Sequence, residues 1–371
     1  MVIARRSYPS TCSRLIRARD RRRKHTHSLR WLAQIVCQIV RAVGWENEPL
    51  QDSEAPMQPL ARHLAEFVNR AFDHNISAAA RYWPDLEDVF TCIDLAANTG
   101  HHLGSKDEPF KLRTTRRVLL SYMMWMLNDR YTAAGTQQDR SWKRLDQFFR
   151  EVRLNQAAFI SLNWDTVIER GLDRAREVKY FDYGCGALPA VFPTAGNVVH
   201  LRDAIAVEPP VQVVKIHGSV NWLYCDNCRQ LYWFSPESAR EVSLQLLTKI
   251  EAKNLGISQV GCGKWICKNC QRVPLTTRLA TFRYLKALDF PMFERSWQTA
   301  ESLLRSAEKW VFIGYSLPAA DYEFKYLLKR VQLARAHPPR FVVITGGSHP
   351  SETYRNYQRF FGRAGGPSSV K

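Results

Sequence analysis

Four short apolar runs, each rich in β-branched residues, set the pattern of the second half of the chain. They occupy residues 157–162, 211–216, 309–314 and 340–345. Continuous runs of this length are typical of strands buried on both faces of a parallel sheet. Helical apolar spacing lies between or after them, at residues 164–177, 293–308 and 320–336. This alternation predicts an α/β fold with a doubly wound, mainly parallel, Rossmann-like sheet.

The first half of the chain has a helical pattern. One apolar face is formed by Leu60, Leu64, Phe67, Val68 and Phe72. Pro84 and the acidic residues after it are typical of a helix start. Further helices are predicted at residues 113–133 and 141–151, where we interpret the methionines as core packing. We therefore predict a helical insertion over residues 84–151 within one domain that covers residues 58–350.

Residues 1–45 differ from the rest of the chain in charge. They contain eleven Lys or Arg residues and one acid, and so carry +10 of the formal net charge of +18. We interpret them as a basic leader outside the core, although an Arg-rich, acid-poor start also resembles an organelle transit peptide. The rest of the chain is only mildly basic, so nucleic acid is not an expected partner.

No apolar run reaches the length that spans a membrane. The best candidate runs from Trp31 to Trp45 and is interrupted by Gln34, Gln38 and Arg41. We therefore expect no membrane partner. Polar residues and prolines at 46–56 predict a linker, and we assign residues 351–371 to a tail.

Two Cys-x-x-Cys pairs are the strongest local signal. They are Cys225 with Cys228 and Cys267 with Cys270. Paired spacing is typical of a tetrahedral zinc site with four thiolates, which has no open position and is therefore structural. A redox dithiol, or Cys262 in place of one ligand, is the alternative. We predict a zinc-knuckle module over residues 222–275 and, because thiolates need a reducing compartment, a cytoplasmic location.

Polar motifs follow three of the predicted strands. Asn163 and Asp165 follow the first run, His217 begins a His-Gly-Ser motif after the second, and Gly314 and Ser316 follow the third. The carboxyl ends of parallel strands meet at one edge of the sheet, where ligands bind in such folds. We therefore expect the three motifs to converge.

Each of these residues also has a purely structural interpretation. A lone histidine such as His217 is more often a hydrogen-bonded packing residue than a base. Asp165 is as readily the cap of the helix that follows it. Ser316 can cap a turn, and Asp321 can stabilise a helix start. Gly218 lets a ligand approach the backbone closely, which favours a functional role for the neighbouring histidine.

The order of these motifs resembles the sirtuin-like family, especially its divergent bacterial branch associated with phage defence. The segments that carry the resemblance are FISLNWDTVIERGL, VVKIHGSVNWLYCDNC, the second cysteine pair and VFIGYSLPAADYEFKYLL. The resemblance covers about residues 58–350, and the helical region fits the divergent branch better than the protein deacylases.

The resemblance implies an enzyme that consumes NAD by breaking the bond between nicotinamide and ribose. It implies that His217 is the general base, that Asn163 positions water or the ribose, and that Asp165 orients the site. Gly314 and Ser316, together with Asn163, would bind the NAD nucleotide. The four cysteines would hold structural zinc. A protein partner or a second copy of the chain is left open.

Departures from the family pattern bear on the activity. Residues 1–60 contain no Gly-Ala-Gly-x-Ser loop, which cradles the NAD diphosphate in the family, and Leu162 stands where glutamine is usual. QRVPLTTRLATF follows Cys270 where deacylases carry Phe-Gly-Glu beside the acyl-lysine tunnel. We therefore predict an NAD glycohydrolase, with antiviral defence as its suggested setting. The alternatives are an NAD-dependent protein-lysine deacylase and a non-catalytic binding module that lost the cofactor loop.

Overall fold

The computed structural model describes most of the chain from residue 58 onward and four residues near its start. The described residues are 2–5, 58–73, 84, 86–136, 140–202, 210–259, 262–277, 291–318, 321–344, 350–362 and 369–370. The linker predicted at 46–56 and the basic leader after residue 5 lie outside them.

Eleven strands are present in the described residues. They are β1 (Val2–Arg5), β2 (Ala157–Ser161), β3 (Phe181–Asp182), β4 (Leu188–Val191), β5 (His200–Leu201), β6 (Val211–Lys215), β7 (Trp222–Tyr224), β8 (Leu231–Trp233), β9 (Lys309–Ile313), β10 (Arg340–Ile344) and β11 (Ser369–Val370). The four strands predicted from the apolar runs are confirmed as β2, β6, β9 and β10. A seven-stranded sheet has the order β11-β10-β9-β1-β2-β6-β3, and a four-stranded sheet has the order β5-β4-β8-β7.

Ten α-helices lie in the described residues. They are α1 (Gln58–Phe72), α2 (Leu86–Thr99), α3 (Pro109–Thr136), α4 (Arg140–Glu151), α5 (Val167–Arg176), α6 (Ala239–Leu244), α7 (Lys249–Asn254), α8 (Pro291–Ser306), α9 (Tyr322–Leu333) and α10 (Pro350–Phe361). Every helix predicted from the apolar spacing is present within a few residues of its predicted bounds. Among the described helices, none is long and apolar enough to cross a membrane.

Helices cover both faces of the seven-stranded sheet. Phe159 and Val213 pack with residues of α4 and α5, whereas Ile160 and Val214 pack with residues of α8, α9 and α10. Successive residues of a strand point to opposite faces, so the two clusters lie on the two sides of the sheet. Burial on both faces explains why these strands appear in the sequence as continuous apolar runs.

The helical insertion and the segment between the two cysteine pairs share one apolar core. Arg117 of α3 forms an ion pair with the buried Glu251 of α7. Ser121 of α3 donates a hydrogen bond from Oγ to the carbonyl of Ser243 in α6 at 2.9 Å. Two regions that are far apart in the sequence therefore stabilise each other.

The position of β1 corrects our prediction for residues 2–5, which we placed outside the core with the rest of residues 1–45. β1 lies between β2 and β9, where Val2 pairs with both Ile160 and Phe312. It is antiparallel to both neighbours, whereas the other described strand pairs in this sheet are parallel. The reason is main-chain hydrogen bonding, because the N–H and C=O groups on the facing edges of β2 and β9 need partners. The four residues of β1 supply those partners. The charge that set our prediction is concentrated farther along the leader.

We expect Ile3→Pro to lower the free energy of unfolding by about 2–3 kcal/mol. Ile3 pairs with Phe159 on one side and Val311 on the other, and proline brings no N–H to such a ladder. The control is Ile3→Val, which keeps the N–H and should cost about 1 kcal/mol or less. Urea unfolding measures both variants. Equal free energies of unfolding for the two variants would show that residues 2–5 do not contribute to the sheet.

The assignment of residues 351–371 to a tail is also wrong. Tyr357 and Phe361 of α10 are buried against the sheet, and the Tyr357 hydroxyl donates to the carbonyl of Tyr315 at 2.9 Å. β11 pairs with β10 at the edge of the sheet. Phe360 also packs against this cluster, so the helix buries an aromatic edge at helical spacing.

Candidate functional site

Three strands bring the polar motifs to one edge of the sheet. β2 and β6 are parallel, and β1 is antiparallel to both β2 and β9, so β2, β6 and β9 run in the same direction. Ser161 pairs with Lys215 at the carboxyl ends of their strands. Asn163 and His217 therefore follow side by side, and Gly314 follows at the end of β9. The predicted convergence of the three motifs at one edge is confirmed.

His217 is fixed by a hydrogen bond to the neighbouring motif. Its Nδ1 lies 3.0 Å from the carbonyl oxygen of Leu162, and the side chain is 6% exposed. A carbonyl only accepts, so this bond places the proton on Nδ1 and the basic lone pair on Nε2. Gly218 turns the chain with a φ of +86°, which is the left-handed region that favours glycine. The structure therefore gives His217 the tautomer that a general base requires.

Successive carbonyls of the first motif are all held by hydrogen bonds. The donors are Ile216 N–H to Ser161 O (3.3 Å), His217 Nδ1 to Leu162 O (3.0 Å), Ser161 Oγ to Asn163 O (3.3 Å), Val220 N–H to Trp164 O (2.9 Å) and Lys215 Nζ to Asp165 O. Four of these donors belong to residues 215–220, around the His-Gly-Ser motif. These hydrogen bonds fix the backbone of the two motifs relative to each other.

Asn163 and Asp165 have different surroundings. Asn163 is exposed at the edge of the sheet, where its amide can reach a ligand. Asp165 is half-buried, and its Oδ1 accepts a hydrogen bond from the N–H of Val167 at 3.0 Å. Val167 is the first residue of α5 and Thr166 is its N-cap, so Asp165 forms an Asx turn just before the helix rather than the predicted helix cap.

The third motif is an open turn. Gly314 has a φ of +66°, and its N–H donates to the carbonyl of Ile344 at 2.9 Å. A side chain placed at Gly314 would meet nothing within 4 Å, so there is room beside its backbone. Ser316 is exposed, and its carbonyl accepts from the Asn356 side chain at 3.3 Å. The turn could therefore contact a ligand through the Ser316 hydroxyl.

An aromatic chain connects the second and third motifs. The Trp297 ring of α8 lies 6.2 Å from the His217 ring and 6.4 Å from the Phe324 ring. Phe324 in turn lies 5.5 Å from the Tyr315 ring. Sequence reasoning missed Trp297, because a half-buried aromatic on an amphipathic helix carries no signal beyond packing. It gives His217 an aromatic wall on the side of the sheet covered by α8.

A ring of buried polar side chains lies beneath the first two motifs and was also missed. Lys215 Nζ is 3.3 Å from Glu169 Oε1, and neither side chain is exposed. The Tyr183 hydroxyl lies 3.2 Å from Glu169 Oε1 and 3.4 Å from Asn221 Nδ2. The Ser219 hydroxyl donates to Asn221 Oδ1 at 2.7 Å. The available signal was a lysine inside an apolar run and a glutamate within the following helix, both at positions expected to be buried.

Burial changes the ionisation of this ring. It raises the pKa of Glu169 above its ordinary value, and the Lys215 ammonium opposes that shift. Burial, together with the charge of Glu169, raises the pKa of Tyr183 well above its ordinary value. The phenol therefore keeps its proton and can donate to the carboxylate of Glu169.

The four predicted metal ligands form one cluster. The sulfur atoms of Cys225, Cys228, Cys267 and Cys270 all lie within 4.8 Å of one another. The shortest separations are 3.6 Å between Cys225 and Cys270 and 3.5 Å between Cys228 and Cys267. Four thiolates around tetrahedral zinc, with Zn–S bonds of about 2.3 Å, place sulfur atoms about 3.8 Å apart. The cluster could therefore hold zinc, and Cys262 is not part of it.

The two cysteine pairs are built as matching turns. Arg229 N–H donates to Cys225 O at 2.8 Å, and Gln271 N–H donates to Cys267 O at 2.9 Å. Both donors have positive φ, 60° for Arg229 and 52° for Gln271. A hydrogen bond from the Asn227 side chain, followed by a backbone bond, lowers the pKa of the Cys270 thiol to about 6. The turns thus hold four sulfur atoms together and favour a thiolate at Cys270.

Comparisons with known proteins add little to this geometry. No protein-family model matches the chain, and no curated protein sequence matches it. A crystal structure of Sir2 with an inhibitor, 2′-O-acetyl-ADP-ribose and deacetylated p53 peptide is 18% identical over 37% of this chain and 45% of that chain, with a TM-score of 0.20. Sir2 with p53 peptide and NAD⁺ is 19% identical over 38% and 45%, with a TM-score of 0.19. The chain spans less than half the length of these Sir2 chains, 45% in each case.

Proposed function

We propose that this chain is a sirtuin-like protein that uses NAD, and that it hydrolyses NAD to release nicotinamide. The observation that supports this most is the hydrogen bond from His217 Nδ1 to Leu162 O at 3.0 Å. It gives the histidine the tautomer of a base and holds it beside Asn163. The open turn at Gly314 and Ser316 lies at the same edge, where parallel sheets bind nucleotides.

The reaction needs a base and a clamp on the ribose. The bond between the nicotinamide nitrogen and ribose C1′ breaks, and its electron pair leaves with nicotinamide, which becomes neutral. A water oxygen bonds to C1′ and gives its proton to Nε2 of His217. Asn163 would hold the water or a ribose hydroxyl, and Gly314 and Ser316 would contact the nucleotide. Asp165 would orient the site through its hydrogen bond from Val167 N–H.

The four cysteines would contribute stability rather than catalysis. Together they would hold zinc with four thiolates, which leaves no position on the metal for a substrate. Cys225 and Cys267 belong to the same apolar core as the helical insertion. The metal would therefore fix the zinc-knuckle module against that insertion.

Hydrolysis is proposed in preference to deacylation because of the residues after the second cysteine pair. Deacylases of the family need an acyl-lysine tunnel, and the segment QRVPLTTRLATF stands in place of the motif beside it. Water is the acceptor that needs no further protein groove. Nicotinamide release with and without an acetylated peptide tests this: the peptide should leave the rate unchanged and stay acetylated. A peptide-dependent rate would establish the deacylase instead.

A non-catalytic binding module is the second candidate, and the direction of β1 favours it. β1 is antiparallel to β2 and β9, so Arg5, its last residue, lies at the edge of the sheet opposite to His217. In the family an opening strand is followed by the Gly-Ala-Gly-x-Ser loop that cradles the diphosphate. Residues 1–60 contain no such sequence.

We expect this chain to bind NAD weakly. A glycine-rich turn at a helix N-terminus offers several N–H donors to the diphosphate. Loss of two such charge-assisted bonds, at about 1.5–3 kcal/mol each, weakens binding by about two to four orders of magnitude. Isothermal titration calorimetry measures the affinity. A dissociation constant in the micromolar range or tighter would show that other residues bind the diphosphate.

The antiviral setting belongs to the same proposal and depends on NAD loss in infected cells. Cells that express the chain should lose NAD during phage infection and produce fewer plaques than cells that express the His217→Ala variant. Equal plaque counts for the wild type and the His217→Ala variant would contradict a role in antiviral defence.

A further inference from the structure

The ring of buried polar side chains begins and ends on two adjacent carbonyls of the first motif. At one end Lys215 Nζ donates to Asp165 O. At the other end Ser219 Oγ lies 3.4 Å from Trp164 O. Between these ends the contacts pass through Glu169, Tyr183 and Asn221. The ring therefore encloses the peptide unit that joins Trp164 to Asp165, one residue beyond Asn163.

All members of the ring are withdrawn from solvent. Lys215, Glu169, Ser219 and Asn221 are 0% exposed, and Tyr183 is 2% exposed. A buried ion pair often stabilises a protein no better than apolar residues of the same size would. The Lys215–Glu169 pair lies beneath the strand end that carries the candidate base. This position indicates that the pair orients the turn at residues 163–165 rather than adding stability.

The ring also connects three separate parts of the fold. Lys215 ends β6, Glu169 lies in the first turn of α5, and Tyr183 follows β3. Asn221 donates a second hydrogen bond from Nδ2 to the carbonyl of Phe234 at 2.6 Å, after β8. Hydrogen bonds of the ring thereby connect the turn that carries Asn163 to the sheet, to α5 and to the zinc-knuckle module.

We propose that Lys215, Glu169, Tyr183 and Asn221 are positioning residues that set the Asn163–Asp165 turn against His217. The inference rests on the proposed function. Lys215 holds the Asp165 carbonyl, Glu169 supplies the opposite charge that lets an ammonium stay buried, and Tyr183 orients the Glu169 carboxylate. Asn221 Oδ1 accepts a hydrogen bond from the Ser219 hydroxyl and so fixes Ser219 beside the Trp164 carbonyl. That carbonyl accepts its shorter hydrogen bond from Val220 N–H. None of the four touches the reacting atoms in this assignment.

The test removes both charges together, because loss of one alone leaves the other buried and unpaired. The double variant Lys215→Met/Glu169→Gln keeps the side-chain volumes and the hydrogen bond to Tyr183. We expect it to fold, to lower kcat for nicotinamide release about tenfold or more, and to change KM by no more than about twofold. A purely structural pair would leave kcat unchanged once the variant has folded.

The matched control neutralises a second ion pair, which joins two helices outside the motifs and has one buried partner, Glu251. Arg117→Met/Glu251→Gln removes the pair between α3 and α7 and should alter thermal stability without altering kcat. Tyr183→Phe removes one hydroxyl from the ring and should give an intermediate loss of kcat. Equal kcat values for the ring double variant and the wild type would overturn the inference.

A second measurement does not depend on activity. Hydrogen exchange of the peptide around residues 163–168 reports on the turn, because Val167 N–H donates to Asp165 Oδ1. The ring double variant should speed exchange there about tenfold, and the control double variant should leave it unchanged. If the wild type neither binds nor cleaves NAD, the proposed function fails and exchange alone decides: unaltered exchange in the ring variant would refute the positioning role.

Discussion

Replacing Cys267 with serine is expected to abolish stoichiometric zinc binding and to unfold the zinc-knuckle module. Cys267 is fully buried, and its sulfur lies 3.5 Å from that of Cys228 and 3.2 Å from the Tyr232 hydroxyl. Structural zinc with thiolate ligands contributes about 10–16 kcal/mol to small modules. Three remaining thiolates cannot close the tetrahedral site, so much of that free energy is lost.

The unfolding should extend beyond residues 222–275. Cys225 and Cys267 share one apolar core with buried residues of α1, α2 and α3, and α6 and α7 lie in the chain between the two cysteine pairs. Limited proteolysis should therefore cleave the Cys267→Ser protein both in the module and in the helical insertion, whereas the wild type resists. Loss of structure confined to the module would show that the insertion is stable by itself.

Cys262→Ser is the matched control for this experiment. Cys262 is also buried, at 1% exposure, but its sulfur is outside the cluster. Metal analysis should find about one zinc per chain in the wild type and in this control. Absence of zinc from the wild type would refute the site, and loss of zinc from the Cys262 variant alone would make Cys262 a ligand.

The strands that flank the site could be predicted because each is a short continuous run of apolar residues. β2 and β6 end in residues buried on both sides. β9 and β10 alternate buried with mostly half-buried residues, but most of those half-buried positions are also apolar. β1 could not be predicted in this way. Four residues are too few for a periodic signal, and the arginines that follow them dominate the composition of the segment. β1 pairs with both β2 and β9. Its place between them depends on how the rest of the sheet assembles, which residues 2–5 alone do not reveal.

Only the part of the site that directly follows the strand ends could be predicted from the sequence. His217, Asn163 and Gly314 follow strands, and the rule that parallel strands end at one edge brought them together. The contacts beneath them depend on side-chain directions from three elements, so no spacing in the sequence reveals the ring from Lys215 to Asn221. The same holds for Trp297, which reaches His217 from α8.

His217→Ala is expected to lower the rate of nicotinamide release by about a hundredfold to ten-thousandfold, the usual contribution of a general base. The imidazole provides the lone pair on Nε2 only because Nδ1 is bonded to Leu162 O. Alanine removes the base and leaves that carbonyl with one donor fewer, at a cost of about 1–3 kcal/mol to the free energy of unfolding. The fold should survive, since the backbone bonds from Ile216 and Val220 to the first motif remain.

His217→Gln separates the two roles of the side chain. Its amide can still donate to the Leu162 carbonyl, but it cannot accept a proton near neutral pH. It should therefore be nearly as stable as the wild type and as inactive as His217→Ala. His63→Gln is the matched control. His63 of α1 is hydrogen-bonded to Thr115 of α3, so this variant should leave the rate unchanged. If His217→Gln kept near-full turnover, His217 would be a packing residue, and the base would have to be sought among the other groups at this edge.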